Sequence, residues 1–154
     1  MSPSARLRVL VLVVIAMVVG VLSPLGVGFA RASEVSGAIT SVTVSPSTLP
    51  AGSLIRTDIA WCVPDGTKAG DTFSLTLPAE MGKFPAGFTI ADSAGNVIAE
   101  ATFSDTVPAV VTFTLTAFAE SGKNVCGTSF FTSRVTETAP GDRTITFTTN
   151  DGKS

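Results

Sequence analysis

Cys62 and Cys126 are the only two cysteines in the chain, 64 positions apart. A thiol nucleophile needs a neighbouring base, most often histidine, and this sequence contains no His at all. The same absence removes every His-based triad, dyad and metal site. Paired carboxylates are the remaining catalytic option. Asp65 and Asp71 flank the loop Gly66-Thr67-Lys68-Ala69-Gly70, and a glycosidase would set two such groups across a cleft. Asp beside Gly is, however, ordinary turn chemistry, the carboxylate bonding its own backbone. We therefore expect no enzyme activity. A calcium site could draw on Asp65, Asp71 or Asn150-Asp151-Gly152, but no run has the regular acidic spacing of a calcium loop. We expect no metal and no cofactor. Lys68, Lys83, Lys123 and Lys153 all read as loop or terminal lysines, which disfavours an isopeptide cross-link inside a strand core. Asn96, Asn124 and Asn150 each fail the glycosylation sequon.

The two cysteines acquire a compartment from the N-terminus. Arg6 and Arg8 precede an almost unbroken apolar run from Val9 to Leu22. A turn at Ser23-Pro24-Leu25-Gly26 and the small-residue pattern Ala30-Arg31-Ala32 follow. This is the pattern of a secretory signal peptide over residues 1–32, cut after Ala32. The apolar run is short for a membrane span, which needs about 20 residues; an uncleaved N-terminal anchor is the alternative reading. The expected products are a secreted or cell-surface domain over residues 33–154 and, in an oxidising environment, a Cys62–Cys126 disulfide.

Removing the leader changes the bulk properties. The whole chain has 154 residues, a net charge of −2 and 45% hydrophobic residues. Without Arg6, Arg8 and Arg31, the remaining 122 residues carry seven basic and twelve acidic side chains, a net charge of −5. That mildly acidic surface has no pull toward nucleic acid or anionic lipid. No membrane association is expected once the leader is gone. The length suits one domain.

The elements that would hold these residues are strands. Val42 and Val44 alternate with Ser41, Thr43 and Ser45; Ile55, Thr57, Ile59 and Trp61 share one face. Phe73, Leu75 and Leu77, then Val111, Phe113 and Leu115, then Ile145 and Phe147, alternate with Ser or Thr. Period-two alternation with hydroxyls on the wet face marks antiparallel sheets solvated on one side. Phe88–Ala91 and Val97–Phe103 flank a Gly95-Asn96 turn and read as a hairpin. Other turns fall at Pro64-Asp65-Gly66, Ser121-Gly122-Lys123 and Pro140-Gly141-Asp142. Only Ala117–Gly122 suits a helical turn. The expected fold is all-β: an immunoglobulin-like antiparallel β-sandwich of eight or nine short strands. Trp61 immediately precedes Cys62, so their side chains point to opposite faces of one strand. Trp61 then joins Ile59 in the core, and the disulfide becomes a peripheral staple near a strand end. The Thr positions look irregular from strand to strand, which argues against an ordered hydroxyl array on the sheet face.

The stretch Trp61-Cys62-Val63-Pro64-Asp65-Gly66-Thr67-Lys68-Ala69-Gly70-Asp71-Thr72-Phe73-Ser74-Leu75-Thr76-Leu77-Pro78 is more specific. A strand ending in Trp, a Gly loop, then Gly-Asp-Thr-Phe-x-Leu-x-Leu-Pro resembles the first immunoglobulin-like domain of microbial surface adhesins. These are the Ser-Asp-repeat and clumping-factor proteins of Gram-positive bacteria, and the yeast agglutinin-like adhesins. Phe88–Ala99, Val111–Phe118, Gly127–Phe130 and Thr144–Thr149 with Asn150-Asp151-Gly152 match in order, so the resemblance covers about residues 38–152. It implies a cell-adhesion function tied to virulence, with a partner that is a host extracellular-matrix or serum protein or another surface protein. It also implies a following second sandwich domain, with a ligand peptide bound between the two by strand addition. In the yeast members a lysine soon after the Leu-Pro strand end receives the ligand's terminal carboxylate. Lys83 is the nearest match, offset by about one position, so Lys83, Phe84 and the final strand are the candidate contacts. The alternative is a structural spacer or stalk domain with no ligand of its own.

Overall fold

The computed structural model describes residues 31–47, 50–92, 94–136 and 144–154. The leader reading (all but its last two residues) and the Pro140-Gly141-Asp142 turn lie outside these residues. Among the described residues, nine strands and one short helix follow in order: β1 (Ile39–Ser45), β2 (Leu54–Val63), β3 (Thr72–Thr76), β4 (Met81–Gly82), β5 (Gly87–Ala91), β6 (Val97–Phe103), β7 (Val110–Leu115), α1 (Ala117–Ser121), β8 (Val125–Val135) and β9 (Thr148–Thr149). They form two sheets, β1-β2-β8-β4 and β5-β6-β7-β3-β9. Neighbouring strands within both sheets run antiparallel.

The alternation read from the sequence sets the inner faces. Ile55, Thr57, Ile59, Trp61 and Val63 are buried on β2, while Leu54, Arg56, Asp58, Ala60 and Cys62 turn outward. Phe73 and Leu75 of β3 and Val111, Phe113 and Leu115 of β7 close the core from the other sheet. Aromatic rings tie the layers together. Trp61 meets Phe73 across the sheets at 6.0 Å, and Phe73 stacks on Phe113 at 4.7 Å. Such pairs add roughly 0.5–1.5 kcal/mol to the burial of their area.

Two expectations need correction. A full last strand around Ile145 and Phe147 is not formed; only Thr148 and Thr149 pair, with Thr76 and Leu75. Extending that register would set Thr146 opposite Pro78, which has no N–H to give to a ladder. The Thr positions are also more regular than they look in one dimension. Thr72 lies opposite Thr114, and Ser74 and Thr102 both lie opposite Thr112. One hydroxyl row, Ser74-Thr112-Thr102, crosses β3, β7 and β6, while the Thr72–Thr114 pair meets Glu100 on β6.

The chain end is clasped onto this sheet. Asn150 N–H donates to Ser74 O (3.2 Å), and Asn150 Nδ2 donates to Val35 O (2.9 Å). Asp151 accepts from Thr149 Oγ1 and from Lys153 Nζ, the latter at 2.6 Å. These contacts, the Lys153 bond first, lower the Asp151 pKa to about 2. A carboxylate depressed in the folded state stabilises it above the unfolded pKa and loses that contribution as pH falls through the folded value. The window is therefore pH 4 down to about 2. Carboxyl-carbon NMR titration should place Asp151 near 2, and Lys153→Ala should move it back toward the ordinary range.

Candidate functional site

The disulfide forms between Cys62 and Cys126. The two residues are direct cross-strand partners, one step from the end of the β2–β8 ladder, with Cα atoms 4.0 Å apart. The bond lies on the outer face, opposite buried Trp61, and joins neighbouring strands of one sheet. It is a staple at the sheet's end, as the Trp-Cys order predicts.

The carboxylates considered for acid–base chemistry are held by amides. Asp65 Oδ1 accepts from Asn124 N–H at 2.7 Å. Asp71 Oδ2 accepts from Lys68 N–H at 2.7 Å, and Oδ1 accepts from Ser33 N–H at 2.8 Å. Those backbone bonds hold the Asp71 carboxyl below the usual range, Lys68 contributing most. A general acid at neutral pH needs the opposite shift. Glu120 closes the same loop, accepting from Ala69 N–H at 3.0 Å and pairing with Lys68 Nζ at 3.1 Å. Among the described residues, no three His, Cys, Asp or Glu side chains group to hold a metal ion.

The sequence candidates Lys83 and Phe84 both line one open recess of about 370 Å³. They sit in the segment that leaves edge strand β4 and crosses to β5, the edge of the other sheet. Lys83 has a positive φ of 57°, which turns the chain sharply after β4 and leaves its side chain in solvent. Phe84 folds back, stacking on Phe103 at 5.2 Å and meeting Phe131 edge-on at 6.2 Å. The opposite wall is the β6–β7 loop, with Asp105, Thr106 and Val107. That loop is braced by its hydroxyls. Ser104 Oγ accepts from Val110 N–H (2.9 Å) and shares a 2.7 Å bond with Thr106 Oγ1. Val107 stands at its tip, 81% exposed. The recess thus combines an ammonium, a carboxylate and apolar surface with edge strand β4 and the segment that leads to edge strand β5. The final strand, the third sequence candidate, lies at the other edge of its sheet, beside β3, and is not part of this recess. Sequence reasoning missed Asp105 and Val107; the local signal was a Val beside a Pro, Val107-Pro108.

An exposed aromatic on the outer face of the β1-β2-β8-β4 sheet is less available. Phe130 on the outer face is 54% exposed, but the Arg56 guanidinium lies 3.8 Å over its ring. Arg56 is held there by Asp58, whose Oδ1 lies 2.6 Å from Nη2.

Two antiparallel sheets packed on a shared aromatic core define an immunoglobulin-like β-sandwich. Residues 48–144 match the bacterial Ig domain family, and the chain belongs to that family. Among solved structures, it is similar to the serine-rich repeat adhesion glycoprotein of Streptococcus agalactiae. That match has 17% identity and a TM-score of 0.55, covering 68% of this chain and 38% of that one. It is also similar to the collagen adhesin of S. aureus, with 19% identity, a TM-score of 0.55 and coverage of 79% and 43%. At these identities the likeness is one of fold, and the chain spans about two fifths of the length of either adhesin. No curated protein sequence matches significantly. Among the described residues, no helix is long and apolar enough to cross a membrane.

Proposed function

We propose that residues 33–154 form a secreted or cell-surface adhesion domain that binds a partner protein at the Lys83–Phe84 recess. The observation that carries this reading is that edge strand β4, and the segment leading from it to edge strand β5, line that recess. An extended peptide adding to such an edge gains main-chain hydrogen bonds, and a neighbouring pocket reads its side chains. Lys83 offers a cation to a peptide carboxylate, and Val107 an apolar contact. A host matrix or serum protein, or another surface protein, is the proposed partner class, in keeping with adhesins among the structural neighbours. A following sandwich domain in the parent protein would complete the site. The domain performs no catalysis in this reading.

The test is binding of the purified secreted protein, and of its parent, to immobilised matrix and serum proteins. Lys83→Asn removes the charge while tolerating positive φ. Val107→Glu alters an exposed tip. Each should weaken binding at least about tenfold, 1.4 kcal/mol, with an unchanged unfolding midpoint. If nothing in the panel binds, the adhesion reading fails. The rival is a spacer domain, favoured by the many loop clasps that brace the sandwich ends. Near-identical repeats in the parent protein together with a silent panel would establish it.

A further inference from the structure

We propose that Asp71 is the receptor site for the N-terminal ammonium group that cleavage between Ala32 and Ser33 creates. It is independent of the adhesion reading and rests on the leader read from the sequence.

Asp71 is 7% exposed, and its Oδ1 lies 2.8 Å from the backbone nitrogen of Ser33. That nitrogen is the atom a cut after Ala32 would free. The segment around it is fixed. Ser33 O accepts from Thr72 N–H (2.9 Å), Val35 N–H donates to Thr72 O (2.7 Å), and Asn150 Nδ2 holds Val35 O (2.9 Å). Lys68 N–H holds the other carboxylate oxygen, so Asp71 keeps its position whatever Ser33 carries. Ala32, one residue upstream, is exposed. The small-residue cleavage pattern and this buried acceptor are separate observations, yet they select the same nitrogen.

The chemistry is simple hydrolysis by a signal-peptide endopeptidase. Water adds across the Ala32–Ser33 amide and the C–N bond breaks. Ala32 leaves as a carboxylate, and Ser33 keeps the nitrogen, which takes up a proton. A neutral amide donor thereby becomes a charged one at the same place, and charge-assisted hydrogen bonds are roughly twice as strong. The neighbouring charges leave the role open to it. Lys68 and Glu120 pair with each other, and Glu34 on the segment itself is exposed. Among the described residues, Asp71 receives no hydrogen bond from a cationic side chain. Removal of the leader thus locks the mature sandwich, and the precursor lacks that lock.

Composition gives the test a clean window. The chain has no His and no Tyr, and both cysteines are bonded. Between pH 7 and about 9.5, the α-amino group is the ordinary titrating group, with a reference pKa near 7.7–8.0. Pairing with Asp71 raises it. The stabilisation is complete below the unfolded value and is lost as pH rises through the folded one. The full chain is secreted through its own leader, its N-terminus is sequenced, and unfolding by urea is followed from pH 6 to 10. The expected terminus is Ser33, and the folding equilibrium constant should fall about tenfold over the alkaline range, one unit of raised pKa. Inserting Gly-Ser between Ala32 and Ser33 moves the ammonium away and should flatten the profile. Asp71→Asn should do the same; should it fail to fold, the insertion variant, which keeps Asp71, carries the test. A terminus other than Ser33, or the same pH profile with the insertion, overturns the proposal.

Discussion

Replacing Cys62 and Cys126 together by serine should lower the stability of the domain by about 4 kcal/mol at 25 °C. The bond closes a loop of 64 positions, and cross-linking so long a segment removes conformational freedom chiefly from the unfolded chain. The folded state has little to lose. Both side chains lie on the outer face, beyond the core, and β2 and β8 remain paired from Leu54–Arg134 to Val63–Val125. The expected signature is therefore specific. Stability drops, the native sheet persists, and the urea dependence of unfolding steepens because the unfolded chain exposes more surface. A domain of this kind commonly has only about 5–15 kcal/mol in hand, so the loss is large. Urea unfolding of the double variant and of the parent measures it. A loss below about 1 kcal/mol would mean that the unfolded chain stays compact without the bridge.

Trp61→Ala should cost about 3–5 kcal/mol by leaving a cavity between the sheets. Trp61 is fully buried, contacts Phe73 at 6.0 Å, and lies against the backbone of Gly127 on the partner strand. A Cβ at position 127 would fall 2.9 Å from Trp61 Cζ2. Gly127 is thus a matter of space, and Gly127→Ala should cost about 1–3 kcal/mol by displacing a packed ring. Trp61→Phe should cost less than Trp61→Ala. It keeps much of the ring and deletes Nε1, a buried donor with no hydrogen-bond partner among the described residues. Thermal and urea unfolding of the three variants give the order Trp61→Ala, then Gly127→Ala and Trp61→Phe. In the double variant Trp61→Ala/Gly127→Ala the costs should fall short of additive, since the new methyl then enters the cavity. Simple additivity would sink this account of the contact.

Local signals were sufficient wherever one strand or one turn decides the outcome. The burial of Ile59 and Trp61 and the outward turn of Cys62 follow from period two alone. The β5–β6 hairpin follows from Gly95-Asn96, whose turn Asp92 caps through Ala94 N–H and Asn96 N–H. The helical turn at Ala117–Ser121 was legible in the same way. The candidate site was half legible. Lys83 and Phe84 could be named from their position after Leu77-Pro78, but the wall they face, at Asp105 to Val107, comes from another loop. No periodicity encodes that meeting.

The sequence by itself determined the class of fold, the inner and outer face of each strand, and the residues able to carry charge or a disulfide. These depend on side-chain chemistry and on a two-residue repeat, both of which are local. Tertiary structure alone decided the register that aligns Thr72 with Thr114, the shortening of β9 opposite Pro78, and the recess between two loops. It also brought Asp71 to Ser33, 38 positions away. Alternation says which face a residue occupies but not which residue lies opposite. That choice is made by packing two whole faces against each other, and only the folded chain makes it.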